Sequence, residues 1–547
     1  MYYIEPNTTI EFLNNIDLDP TYENTLYFPS VAAQDAYFIQ RVQLRISAAS
    51  YQRAGKGIIK VSVASYENNT PTISLLYNVH YMRFKNTNFE NKWFYAFIDK
   101  VEYVNNNTVS ISYTIDVIQT WLLQTTFNQC LIEREHTVTD VVGDNTVAES
   151  LETGPYLNEK ADYVLNNTTY TDGRFHYTPS VCLITSFPIE IENQPTISLR
   201  GKRIFGLETE GTIYSGCYYT IILLNAEGVT ALNNIIEQIT EDTALADGLL
   251  AIFMTTWEFR MSIVAESVAD PQVLHFDVRT LLNGNYGYYI DDYVVRNKKL
   301  MCAPYNFLYV SNNQGNSQEL HWEDFQNFLD AKLQIWGNVS GNGGLISIPV
   351  DYKDANGRNY DEAMELTGFQ LCSFTYDSFK AWLAQNAGYI GATATNIASD
   401  WITYFGANLP ANASVFGRVF NAVGEIYDHS RKPPQQRGNT NTSLTEQAGM
   451  MTFNFYRKHI KKEYAKIIDS YFDMYGYKTN RVGVPILDAR PCYNYVKTIG
   501  CSISGNAPSD AEREIEKIFD NGVRFWSATA VFGNYASTVN NNQPRIA

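Results

Sequence analysis

The sequence predicts a β-rich α+β fold built from several domains, and three observations predict it. Aromatic residues make up 14% of the 547-residue chain, including 39 Tyr and 29 Phe, the types that fill pleated, half-buried surfaces. Period-two alternation dominates the first third, broken by Asn-rich turns. Helical spacing enters later, in short amphipathic stretches. The length exceeds what one core serves and suggests about three or four domains. With 45% hydrophobic and 18% charged residues, the chain has the apolar mass for large cores. Its mean hydropathy is nevertheless only -0.25. The Tyr surplus fits both sheet faces and subunit interfaces, and composition leaves both open.

Residues 1–150 read as an N-terminal β domain. VQLRIS, from Val42 to Ser47, and IIKVSV, from Ile58 to Val63, alternate apolar with polar residues. The clearest unit spans Lys92 to Trp121. Val109, Ile111, Tyr113, Ile115 and Val117 fall on one face, and Ser110, Ser112, Thr114 and Asp116 on the other. Asn105 to Thr108 separate its halves, and Asn tolerates the left-handed dihedrals of a tight reversal. This stretch predicts a hairpin with one buried face.

Residues 151–376 read as an inserted domain of mixed α and β. CYYTIILL, from Cys217 to Leu224, predicts a buried strand, followed by Leu232, Ile235, Ile236 and Ile239 at helical spacing. Phe325, Phe328, Leu329, Leu333 and Trp336 repeat that spacing and predict a second helix, ending before the Gly-rich SGNGG at Ser340. LISIPV, from Leu345 to Val350, predicts a strand.

Residues 377–444 depart from both patterns. Between Ala381 and Gly424 only Asp400 and Arg418 are charged, while ten Ala and five Gly separate scattered aromatics. Trp382, Tyr389, Ile390, Ile397, Trp401, Ile402, Phe405, Phe416, Val419, Phe420 and Val423 are its candidate functional residues. Ile397, Trp401 and Phe405 share one helical face, as do Phe416, Val419, Phe420 and Val423. Small residues allow close helix packing, but no window holds the roughly 20 apolar residues that span a bilayer. A helical hairpin that packs within the protein is the alternative. The polar connector HSRKPPQQRGNTNTS follows. In 445–547, Ile460, Tyr464, Ile467, Ile468, Tyr471, Phe472 and Tyr475 predict an amphipathic helix stopped by Gly476. Ser509 and Glu512 predict a capping box opening a helix that buries Ile515, Ile518 and Phe519 and ends at Asn521-Gly522.

Charge and motif content exclude several functions. A net charge of -17 opposes coating nucleic acid or an anionic membrane. Seven dispersed Cys without a C-x-x-C pair argue against a zinc site or a disulfide framework, and Cys492 and Cys501 read as core thiols. SGNGGL and RAGKGI lack the spacing of a phosphate loop. Asp351 to Glu362 resembles a calcium loop in composition, but its oxygens miss the required positions. Asp291 and Asp292, read as strand neighbours, point to opposite faces and suit no two-carboxylate hydrolysis. His136 reads as a structural hydrogen-bonder. Arg457, Lys458, Lys461, Lys462 and Lys466 read as the wet face of a helix. No catalytic, cofactor or metal residues are assigned. The N-terminus lacks a signal peptide, so synthesis and assembly are expected in the cytoplasm.

Both ends of the chain resemble a known family. NKWFYAF (Asn91 to Phe97), IDVIQTW (Ile115 to Trp121) and REH (Arg134 to His136) are similar to the N-terminal part of the tail knob, or distal tail tube, proteins of small short-tailed phages of the Bacillus and streptococcal group. YGYKTNRV (Tyr475 to Val482), YNYVKTIGCSISG (Tyr493 to Gly505), IFDNGVRFW (Ile518 to Trp526), GNY (Gly533 to Tyr535) and PPQ with GNT (Pro433 to Thr440) resemble its C-terminal region in the same order. Leu151 to Tyr376 carry no such resemblance.

That resemblance implies a virion structural protein, not an enzyme. It implies tube-like β-barrel domains at 1–150 and 445–547 closing into a hexameric ring, and a knob domain at 151–376. It implies other tail and collar proteins as partners and genomic DNA passing through without binding. It further implies that Ala381 to Gly424 plugs the tube and enters the host membrane. A tail-associated cell-wall hydrolase, with its active site in the insert, and a receptor-binding knob are the alternatives.

Overall fold

The computed structural model describes residues 7–49, 56–62, 76–105, 108–175, 272–282, 284–311, 317–337, 345–353 and 453–544, together with the backbone of short strands between 180 and 255 and at 364–366. The chain divides into two compact units. The first combines Met1–Gly154, Ile290–Leu300 and Lys461–Ala547, and the second Pro155–Tyr289 and Met301–Ile460.

The first unit contains strands β1 (Thr8–Leu13), β2 (Asn24–Tyr27), β3 (Val42–Ala49), β4 (Gly57–Ser62), β5 (Tyr81–Lys85), β6 (Phe94–Asn105), β7 (Thr108–Ile115), β8 (Thr125–Phe127) and β9 (Cys130–Glu135). Six of these form an antiparallel sheet in the order β3-β1-β5-β6-β7-β4. The predicted hairpin is β6 and β7, with Asn105 opposite Thr108. Val109, Ile111, Tyr113 and Ile115 are buried, as the alternation requires. Burying each such side chain contributes about 1.5–3 kcal/mol relative to exposure. The strand ends two residues earlier than the alternation implies. Asp116 is a buried N-cap accepting from the Gln119 amide at 3.0 Å and the Tyr81 hydroxyl at 2.8 Å, and Val117 opens the short helix Val117–Trp121. Burial pushes the Asp116 carboxyl up to about 6.

A second sheet joins the two ends of the chain. Its order is β2, Val523–Ser527, Tyr493–Ile499, β9, Tyr477–Gly483. β2 runs parallel to Val523–Ser527, with Leu26 beside Trp526. Helix Ser509–Asn521 adds Ile515, Ile518 and Phe519 to the shared core. Its cap differs from expectation. Pro508 is the N-cap and no side chain caps the end, because the helix starts one residue early and Glu512 falls out of register for a box. Helix Lys462–Tyr475 ends at Gly476 as expected, burying Ala465, Ile468, Asp469 and Phe472. Ile467 points outward, and Ile460 ends the preceding strand.

In the second unit, one sheet runs Tyr156–Lys160, Asn454–Ile460, Asn306–Ser311, Ser317–Leu320. A second runs Thr168–Tyr170, Tyr163–Leu165, Gln272–Phe276, Ala331–Gly337, Leu345–Val350, Met364–Leu366. The strands at Leu345–Val350 and Tyr218–Leu223 match expectation. The helix expected over 325–336 is instead a short 3-10 turn at Trp322–Asp324 and the strand Ala331–Gly337. Ala331, Leu333 and Ile335 are buried around half-buried Lys332 and Gln334, so pairing on both sides overrides the coincidental helical spacing. Leu232, Ile235, Ile236, Ile239, the SGNGG stretch and most of Asp351 to Glu362 lie outside the described residues.

Candidate functional site

All eleven candidates, Trp382, Tyr389, Ile390, Ile397, Trp401, Ile402, Phe405, Phe416, Val419, Phe420 and Val423, lie outside the described residues. Among the described residues, no helix is long and apolar enough to cross a membrane. No group of three or more His, Cys, Asp or Glu there could hold a metal ion.

A dense polar centre lies in the first unit, where Ile290–Leu300 forms a strap against helix Lys462–Tyr475. A helix spacing of four puts Asp469 and Asp473 one turn apart on one face. Asp469 is fully buried and accepts from the Tyr293 hydroxyl (2.7 Å), the Arg296 amide (2.9 Å), the Asn297 amide (3.0 Å) and Asn297 Nδ2 (2.7 Å). Asp473 takes Arg296 Nε at 2.8 Å, Arg296 Nη2 at 2.6 Å and Asn297 Nδ2 at 2.7 Å. Further along the strap, the Lys298 amide donates to Asp140, which also accepts from the Tyr477 hydroxyl at 2.6 Å. Lys299 Nζ reaches Glu149 at 2.6 Å, and Glu149 also binds the Lys478 amide and the Arg134 guanidinium. Burial raises the Asp140 and Asp473 carboxyls and lowers the Lys298 ammonium.

His136 is held from both sides. Its Nδ1 accepts from the Tyr495 amide at 2.7 Å, so Nε2 carries the proton and donates to the Asp473 carbonyl at 3.0 Å. Burial holds its pKa well below the ordinary histidine value. With both nitrogens engaged by backbone, it fastens structure and relays no proton, as the sequence suggested.

A second charged row crosses the six-stranded sheet. Glu11 stands opposite Arg45 on β3 and Arg83 on β5. It accepts from Arg45 Nε and Arg83 Nε at 2.6 Å each, and Arg83 Nη1 reaches Asp35 at 2.6 Å. The Arg83 guanidinium also lies 4.1 Å from the Trp93 ring centroid.

Two sequence assignments are corrected. Arg457 and Lys458 belong to the strand Asn454–Ile460, not to a wet helix face. Arg457 is buried and donates to the carbonyls of Val278 (2.8 Å), Asp277 (2.9 Å) and Arg279 (3.1 Å), because its fork matches a turn dense in acceptors. Asp291 and Asp292 form a turn between two short strands, with Asp291 at φ 54° and Asp292 paired to Lys462. Glu323 in the second unit is raised to about 7 by burial, yet both its oxygens engage the Ala303 amide. These arrangements tie distant stretches of chain together, and each buried charge has its partner.

Comparison with known proteins agrees with a structural role. Residues 6–126 match the family described as the caudoviral major tail protein N-terminus. Residues 276–542 match the C-terminal domain of the Bacillus phage phi29 tail knob protein gp9. The chain is 24% identical to the tail knob protein gp9 of Bacillus phage PZA, over 97% of this chain and 98% of that protein. It is 24% identical to the phi29 protein over the same shares, and 23% identical to that of phage B103 over 98% of each. The solved structure of the bacteriophage C1 tail knob protein gp12 superposes with a TM-score of 0.55 at 12% identity, covering 98% of this chain and 99% of that one.

Proposed function

We infer that this chain, a relative of the phage tail knob proteins over its whole length, is a structural protein of a phage tail knob. The observation that carries the reading is the end-to-end match to three tail knob proteins, with no large segment of either partner left over. On this reading the protein sits in the virion tail, beside other tail and collar proteins, after assembly in the host cytoplasm. On the same reading the chain has no catalysis of its own.

In finer detail, six copies close their β domains into a barrel-lined ring through which the genome leaves. Residues 1–150 and 445–547 form the tube, and 151–376 the knob. Residues 377–444 carry the segment Ala381 to Gly424, which plugs the lumen and inserts in the host membrane. The charge supports a passage that DNA does not stick to. Six copies carry on the order of a hundred excess negative charges, so the duplex meets few of the cationic contacts whose counterion release drives binding. Electron cryomicroscopy of the purified protein tests the assembly, with a hollow six-fold ring expected. A monodisperse monomer at micromolar concentration overturns it. The same rings should not retain duplex DNA at physiological salt. Tight, steeply salt-dependent binding would put lysines such as Lys461 and Lys462 in the channel and end the argument for passage without binding.

A further inference from the structure

Cys130 opens β9 in the first quarter of the chain, and Cys501 lies two residues beyond the strand Tyr493–Ile499 near its end. The sheet brings them together. Leu131 stands opposite Ile499, and Phe127 on β8 stands opposite Ile503, so one antiparallel register brackets both cysteines. Between these pairs the Asn128 amide donates to the Ser502 carbonyl at 2.9 Å. Both side chains are free thiols, both are buried, and each lies close enough to influence the other's titration. That register sets Gly500 opposite Cys130 and makes Cys501 its diagonal neighbour; a strand spacing of about 4.7–4.9 Å and a rise of about 3.4 Å put the two Cα atoms about 6 Å apart, within the roughly 4.4–6.8 Å that a disulfide spans.

We propose that Cys130 and Cys501 form an oxidisable pair that closes to an intramolecular disulfide when the folded protein meets an oxidising medium. With a small-molecule disulfide such as oxidised glutathione, one protein thiolate attacks a glutathione sulfur and expels the first glutathione thiolate. The second protein thiolate then attacks the protein sulfur of the mixed disulfide and expels the second. Two electrons pass to the oxidant, and the two thiol protons end on the two released glutathiones. Burial raises both thiols, Cys501 to about 12, so little thiolate exists at neutral pH and closure is slow, quickening as pH rises. On the reading of the chain as a virion protein, the pair stays reduced during assembly and closes after release. The closure itself rests only on contacts within the first unit, so its failure would not touch that reading.

The experiment treats the full-length chain with oxidised glutathione at pH 8.5, denatures it and alkylates the remaining thiols. Of seven thiols, five should react after oxidation and all seven after dithiothreitol. Peptide mapping should find Cys130 joined to Cys501. Cys492→Ser should leave the crosslink intact, and Cys130→Ser should abolish it. Should Cys130→Ser fail to fold, the map of the unsubstituted protein decides alone. Seven reactive thiols after prolonged oxidation, or a bridge through Cys492 instead, overturns the proposal.

Discussion

His136 shows how a single residue couples this fold to pH. It is neutral in the native state because burial disfavours its charge, while in the unfolded chain it titrates near its ordinary value of about 6.5. Above that pH both states are neutral. Below it the unfolded chain binds a proton that the native state refuses, so stability is lost at about 1.4 kcal/mol per pH unit until the depressed native pKa is reached. Asp116, raised to about 6, works the other way, since its native state takes up a proton first as pH falls. Comparing the protein with His136→Asn cancels that contribution, and the Asn side-chain oxygen can still accept from the Tyr495 amide. Urea unfolding between pH 6.5 and 5 should show the steeper loss only in the unsubstituted protein, and equal slopes would remove His136 as the cause. Its structural role was legible because no nucleophile lay near it in sequence. The strap acceptors Asp140, Glu149, Asp469 and Asp473 were not, since their partners lie more than a hundred residues away. A lone carboxylate on a helix reads as solvated until its partner is placed.

Among the elements, those with one buried and one open face were the most readable. The alternation of β7 specifies its register, because a one-residue slip would turn Val109, Ile111 and Tyr113 outward. The misread strand Ala331–Gly337 lacks that advantage, since apolar residues before it supply a helical spacing by chance. The end of helix Lys462–Tyr475 allows a sharp test. Gly476 and Gly500 have nearly equal φ angles, 64° and 67°, but a Cβ on Gly476 would lie 2.2 Å from the Glu135 carbonyl oxygen, while one on Gly500 meets nothing within 4 Å. Gly500→Ala should therefore cost only the left-handed penalty, about 1 kcal/mol. Gly476→Ala adds a clash with backbone in β9 and should cost roughly 3 kcal/mol or more. Urea midpoints measure both, and equal losses would show that β9 yields freely.

At the scale of the whole molecule, the β-rich class and the kinship were legible in the sequence, and the place of Ile290–Leu300 was not. Nothing in the composition of Ile290–Leu300 marks it as belonging with residues that begin and end the sequence. The segment Ala381 to Gly424 carries the largest prediction at this scale. If the chain assembles as the proposed ring, replacing the segment with a short Gly/Ser linker should leave that ring intact, because a long connection costs little to shorten. The same replacement should abolish dye release from liposomes. Trp401→Asp or Phe420→Asp should weaken release in proportion to about 2.5–3.5 kcal/mol per copy for a charge at the bilayer centre, whereas Thr440→Asp should change nothing. A ring that falls apart on deletion makes the segment structural, and a deleted ring that still releases dye moves membrane entry to another part of the chain.

The pairing of Tyr156 with Ile460 means that the second unit begins and ends on adjacent strands. Chain ends so placed, about 5 Å apart, are those of a cassette that recombination can exchange without stretching the host framework. The strap sets the condition on such an exchange. Because Ile290–Leu300 lies inside the cassette in sequence but fastens to Asp140, Asp469 and Asp473 outside it, an incoming cassette must bring a strap with matching donors or leave those buried carboxylates short of partners. Chimaeras between related phages should thus tolerate wide divergence across 155–289 and 301–460 and very little across 290–300.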